Sequence, residues 1–170
     1  MSKRTLDDLV EIMAKLRGNP GCPWDKSQTH ETLKPFIIEE AYEVVDAISR
    51  KNREDLIEEL GDLLLQIVFH SRIGEERGEF DIGDVIEGIC EKMIRRHPHI
   101  FGDVAVEGTD EVLKNWEEIK REEKDMKSEA ESMMNLPKAL PALMKAFKVQ
   151  EKAARVGFDW DDISGAIDKV

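Results

Sequence analysis

Four carboxylates in two pairs are the strongest chemical signal in this chain. Glu40 and Glu43 stand in IIEEAYEVVDAI, and Glu59 and Asp62 stand in LIEELGDLLLQIVF. Within each pair the spacing is i, i+3, which puts both acids on one face of a helix. Four carboxylates gathered against apolar helix surfaces need a cation. Hard oxygen donors select Mg²⁺, with Mn²⁺ as the alternative.

A helical hairpin would position them. Lys51-Asn52 is a short polar turn between two strongly helical stretches. If the two helices run antiparallel about Lys51, Glu43 and Glu59 are equidistant from the pivot, as are Glu40 and Asp62. At ~1.5 Å rise per residue each of these cross-pairs comes level, so Glu43 faces Glu59 and Glu40 faces Asp62. On the second helix of the hairpin, Asp55, Glu59, Asp62, Gln66 and His70 fall within a stripe of about 80° at 100° per residue. Leu63, Leu64, Leu65, Ile67, Val68 and Phe69 cover nearly every other direction, which predicts a buried helix with one narrow polar seam. Two unit charges about 4 Å apart repel by ~4 kcal/mol at an effective dielectric of 20. Several such terms rival the stability of a domain, so protonation, outward rotation or a divalent ion must relieve them.

The remaining periodicities are helical. Leu6, Leu9, Val10, Met13 and Leu16 share one face of a first helix that Thr5 would cap. GNPGCPWDKSQ breaks it. The spacing then predicts helices over Thr32 to Arg50, with Pro35 in the first turn, Arg53 to Glu76, Ile82 to Arg96, and Thr109 to Lys124. No segment alternates with period two. The expected fold is therefore all-α, an antiparallel helical bundle whose central helix-turn-helix carries the acidic site. Residues 1–124 read as one helical catalytic domain and 125–135 as a polar linker. Residues 136–170 read as a helical connector, Leu136 to Val156, interrupted by Pro137 and Pro141, leading to VGFDWDD. That run faintly echoes CPWDK at Cys22 to Lys26 and suggests the start of a second repeat.

Bulk properties narrow the partners. The 170 residues carry a net charge of -12, which opposes binding to duplex nucleic acid and to anionic membranes. Cys22 and Cys90 form no disulfide framework or zinc spacing; Cys90, on an apolar face, reads as packing. The start lacks an apolar targeting core, and no segment has the length of a membrane span. A cytoplasmic protein is expected.

The motifs together resemble one family. EEAYE followed by EELGD is similar to the EExxE…ExxD signature of MazG-type nucleoside triphosphate pyrophosphohydrolases. GCPWDKSQTHETLKPF, GDLLLQIVFHSRIGEERGEFD and RRHPHIFGDV resemble the same family, and LPKALPALMKAFKVQEKAARVGFDW resembles its link into a second repeat. The resemblance implies a helical homodimer that hydrolyses nucleoside triphosphates between the α and β phosphates, giving monophosphate and pyrophosphate. It also implies that Glu40, Glu43, Glu59 and Asp62 hold Mg²⁺. The adjacent Glu39 is a candidate base or outer-shell ligand, and equally a plain exposed helix glutamate.

Lys92, Arg95 and Arg96 lie i, i+3, i+4 at the end of a helix. A triphosphate needs such cations, but basic residues also suit any helix C-terminus; the resemblance favours phosphate contact. Trp116 could stack on a base or serve the core or a dimer contact. Lys120, one turn on, is a weaker candidate. Trp24 reads as a plug in the bundle, His70 as a satisfied core histidine, and His97 and His99, flanking Pro98, as poor zinc ligands. Two rival readings remain. A carboxylate-bridged di-iron bundle needs Glu-x-x-His on two helices, which neither pair supplies. A nucleotide-binding regulatory or partner-binding module with little turnover needs only the first acidic constellation.

Overall fold

The computed structural model describes residues 3–123, 125, 131, 135–155, 157–160 and 162–167. Every regular element among them is helical: α1 (Leu6–Arg17), α2 (Pro23–Ser27), α3 (His30–Arg50), α4 (Arg53–Arg77), α5 (Ile82–Arg96), α6 (Pro98–Phe101), α7 (Thr109–Glu123), α8 (Ala142–Arg155) and α9 (Ile163–Ile167). The chain forms two units, Met1–Lys92 and Met93–Val170, and each is described by itself.

The first unit is built on the α3–α4 hairpin, with α1 packed on α4 and α2 on α1. Local chemistry sets each boundary. Thr5 caps α1 in a reciprocal box with Asp8. The expected start of α3 at Thr32 moves two residues earlier, because Thr29 is the cap and Thr32 closes the box. Pro35 consequently lies inside the helix rather than in its first turn. At the hairpin, Lys51 takes a left-handed conformation at φ +54°. Its N–H donates to Ile48 O at 3.1 Å and that of Asn52 donates to Ala47 O at 3.2 Å, which satisfies the last carbonyls of α3. Asn52 then caps α4, its Oδ1 accepting from Glu54 N at 3.0 Å and Asp55 N at 3.4 Å. Arg50 ties the two helices at this end, reaching Asp46 and Asp55 at 3.0 Å each.

The core of this unit is Met13, Leu33, Val68, Phe69 and Ile73, with Leu6, Leu9, Val10, Leu16, Phe36, Leu65 and Ile82 packed around it. The predicted apolar face of α1 is thus the one that docks. Gly74 lets α4 meet the following turn, since a Cβ there would stand 2.8 Å from the Phe80 ring and carbonyl. Arg17 spans the loop after α1: its side chain is buried, donates to Gln28 O at 3.2 Å and to Asp25 O, pairs with Glu76 at 2.7 Å, and lies 5.4 Å over the Phe69 ring. Ile73→Ala should cost about 2–5 kcal/mol through transfer and cavity terms, read as a drop in the unfolding midpoint in urea.

The buried part of α4 is its second half, Gln66 to Gly74. The helix is not the fully buried one that the wheel predicts: Ile57, Leu60 and Leu64 of its first half are exposed, as are Ile67 within its second half and Ile38, Tyr42, Val45 and Ile48 on α3. Periodicity marks a face as apolar but does not say what covers it. Trp24, expected as a plug, is 53% exposed and meets Phe36 edge-on at 6.1 Å. Cys90 is exposed rather than packed.

In the second unit, α7 starts at Thr109, with Gly108 O accepting from Val112 N at 3.3 Å, and Lys124, its expected last residue, lies outside the described residues. α8 begins only after Pro141, which shortens the expected connector. Of the expected linker 125–135, all but residues 125, 131 and 135 lie outside the described residues, as do Val156 and Asp161 of VGFDWDD. No helix is long and apolar enough to cross a membrane among the described residues.

Candidate metal centre

The α3–α4 hairpin brings Glu40, Glu43 and Glu59 together, with one carboxylate oxygen of each within 4.8 Å of the others. Glu40, Glu59 and Asp62 are half-buried, and Glu43 is exposed. Glu43 and Glu59 face each other across the hairpin, and the Glu43 carboxylate pushes the Glu59 carboxyl up. Asp62 stands outside the set of three, yet among charges it is the largest influence on Glu40. The two cross-hairpin relations are thus those expected from counting residues about Lys51.

Electrostatics record the crowding. Burial pushes the Glu40 carboxyl up first, followed by the negative charges of Asp62, Glu43, Glu59 and Glu39. Glu59 is raised by burial, then by the charge of Glu43. Each shift means that the folded state disfavours the charged form. Glu39 is exposed and adjacent to the cluster in sequence. Glu58, which sequence reading passed over, adds a further negative charge near Glu59.

The donor set suits a small hard cation. Oxygens around Mg²⁺ at ~2.1 Å lie about 3 Å apart when adjacent and about 4.2 Å when opposite. Three oxygens within 4.8 Å of one another need only small side-chain adjustments to reach that arrangement. No nitrogen ligand belongs to the set. His70 is occupied elsewhere: its Nδ1 lies 2.7 Å from His30 Nδ1, and the two rings are parallel. Burial and the neighbouring His30 lower its pKa. Gln66, between Asp62 and His70 on the seam, is buried with Oε1 unbonded.

The candidate phosphate and base contacts fall into a different arrangement. Lys92 is half-buried near the end of α5. Arg95 Nε and Arg96 Nη2 reach the same carboxylate, Glu123 on α7, at 2.7 and 2.5 Å. Lys120 pairs with Glu117 at 2.9 Å. Trp116 is half-buried, its indole N–H is buried without a partner, and its ring centre lies 5.9 Å from that of His97. Sequence reading missed Glu123. Nothing local signals it, because the segment between α6 and α7 is not helical and its register cannot be counted. A groove of about 690 Å³ near Phe147, Phe158 and Trp160 lies within the second unit, but none of the carboxylate triad lines it.

Residues 28–101 match the model of the MazG nucleotide pyrophosphohydrolase domain, a span that contains all four acids. The chain is 49% identical over 164 residues to a Thermotoga maritima protein named nucleoside triphosphate pyrophosphohydrolase/pyrophosphatase MazG, covering 96% of this chain and 62% of that one. It is 48% identical over 166 residues to the nucleoside triphosphate pyrophosphohydrolase of Escherichia coli K12, covering 97% and 63%. It therefore spans a little over three-fifths of the length of these relatives. A crystal structure of a MazG-related protein from Thermotoga maritima superposes with a TM-score of 0.57 at 28% identity, covering 68% of this chain and 99% of that one. Residues 28–101, which include the helical hairpin and its carboxylates, therefore form a MazG nucleotide pyrophosphohydrolase domain.

Proposed function

We propose that this chain is a nucleoside triphosphate pyrophosphohydrolase that uses Mg²⁺, or Mn²⁺ in its place, and cleaves between the α and β phosphates. The observation that carries the reading is the convergence of Glu40, Glu43 and Glu59 on one point of the hairpin, with Asp62 acting on Glu40. These four residues would hold the ion. When bound, Mg²⁺ supplies the positive charge that phosphate oxygens need against so acidic a face. Glu39, exposed and next to Glu40 in sequence, is the candidate acceptor for the proton of the attacking water. Water adds at a phosphorus of the α–β bridge, the bridging P–O bond breaks, and the products are nucleoside monophosphate and pyrophosphate. Lys92, Arg95 and Arg96 on α5, with Lys120 on α7, are the cations for the phosphate chain, and Trp116 is the candidate base contact.

A homodimer belongs to the same reading. The exposed stripes Ile38, Tyr42, Val45, Ile48 and Ile57, Leu60, Leu64, Ile67 each follow helical spacing and flank the carboxylates on both helices. A second copy applied about a twofold axis would bury the same face on each subunit. The deciding experiment incubates the protein with each nucleoside triphosphate and Mg²⁺ and separates the products by ion exchange. Monophosphate plus pyrophosphate is the expected pair; diphosphate plus orthophosphate would overturn the cleavage position.

A further inference from the structure

Arg95 and Arg96 are engaged by one carboxylate. Glu123 accepts from Arg95 Nε at 2.7 Å, from Arg96 Nε at 3.3 and 3.1 Å, and from Arg96 Nη2 at 2.5 Å. A carboxylate and a phosphate present equivalent acceptors to a guanidinium fork. The contact is more enclosed than a surface ion pair: the Glu123 and Arg96 side chains are only 15% and 13% exposed, while that of Arg95 is 51% exposed. The pair borders a groove of about 670 Å³ lined by Arg95, Pro98, Ile119, Glu122 and Glu123. Arg95 and Glu123 are therefore reachable from this groove, while Arg96 lies enclosed behind the Glu123 carboxylate.

We propose that Glu123 occupies the seat of a substrate phosphate on Arg95 and Arg96, so that a nucleoside triphosphate binds by displacing it. This rests on the nucleotide reading above, because it takes the two arginines as phosphate contacts. Glu123 is then a specificity device. A ligand with one weak negative charge cannot compete with a carboxylate held by two guanidinium groups, whereas a di- or triphosphate can. It also keeps the basic end of α5 neutralised when no ligand is bound. The arginines hold the Glu123 carboxyl at about 2, against an ordinary value of 4.5. Acid therefore does not open the contact in the working range. The stability it contributes is complete above about pH 4.5 and is lost only as pH falls toward 2.

The test measures pyrophosphate binding by titration calorimetry in EDTA at low salt, so that no divalent ion takes part and screening is small. Glu123→Gln keeps the shape of the side chain and removes the charge. It should tighten pyrophosphate binding about tenfold, in line with the greater strength of ionised over neutral acceptors on guanidinium. Its KM for a triphosphate should fall in the same direction. Unchanged or weaker pyrophosphate binding in a folded Glu123→Gln would overturn the proposal and leave Glu123 a tether between α5 and α7. Crystals of the unaltered protein soaked with pyrophosphate give a second reading that does not depend on the variant. The expected result is a phosphate on Arg95 and Arg96 with Glu123 swung away. Glu123 still on both arginines, with pyrophosphate bound elsewhere or absent, would overturn it. Hydrolysis of triphosphates by the unaltered protein with Mg²⁺ is scored separately, so failure of the displacement and failure of the enzymatic reading are told apart.

Discussion

Glu59→Gln is expected to remove most turnover and at the same time to make the metal-free protein more stable. The two effects have one cause. Glu59 sits among carboxylates that push its own charge out, through burial and then the charge of Glu43. A group whose folded pKa is raised favours folding fully below its unfolded value and progressively less as pH rises through the folded one. The variant lacks this liability, so its gain in melting temperature over the parent should be clear at neutral pH. The gain should fade below about pH 4.5, the ordinary glutamate value, where Glu59 is protonated in both states. Turnover should fall about 10²–10³-fold, the usual effect of losing one group that organises charge around a reacting centre. Mg²⁺ provides the third readout. An ion at 100 times its dissociation constant stabilises by ~2.7 kcal/mol, so the parent should show a Mg²⁺-dependent thermal shift that the variant loses. A variant with full activity would remove Glu59 from catalysis. A parent that Mg²⁺ does not stabilise would remove the ion from the site.

Counting residues brings these carboxylates level because the hairpin turn is only two residues long. Once Lys51 and Asn52 are fixed as the pivot, helical rise alone sets which acids stand level, and Glu43 does meet Glu59. The face of α1 was legible for a similar reason: Leu6, Leu9, Val10, Met13 and Leu16 leave it no other way to pack. The losses have physical causes too. α2 and α6 are single turns that begin at Pro23 and Pro98, where the proline that helps start a helix also reads as a breaker. The start of α3 shifted because Thr29 and Thr32 are both capping residues and only the reciprocal bond between them decides which one caps. Glu123 was invisible as a partner of Arg95 and Arg96 because no helical count crosses the segment between α6 and α7. The open half of α4 was read as buried because a helical wheel has no term for the neighbour.

That open half carries the second large effect. Leu60→Glu should convert a dimer into a monomer and cost the protein its activity. The stripes on α3 and α4 obey the same symmetry as the acids: Val45 and Ile57, Tyr42 and Leu60, and Ile38 and Leu64 are each equidistant from Lys51. They form a ladder of apolar pairs on the hairpin that holds the carboxylates, and Leu60 is about half exposed. Solvated apolar side chains are individually ordinary, but a contiguous patch at helical spacing marks an interaction surface. A glutamate at position 60 of a lone subunit would remain in water and leave the fold intact. In a twofold interface the substitution appears twice, and each buried unpaired carboxylate costs several kcal/mol after relaxation. Even ~3 kcal/mol in total weakens association more than a hundredfold. Light scattering coupled to size exclusion should therefore show the parent as a dimer and the variant as a folded monomer with helical circular dichroism. Activity should fall with the dimer, since a partner subunit on this face would keep water from the cluster of neighbouring Glu59 and Asp62. A parent that is monomeric at every concentration, or a variant that stays dimeric, would show that this ladder serves another surface.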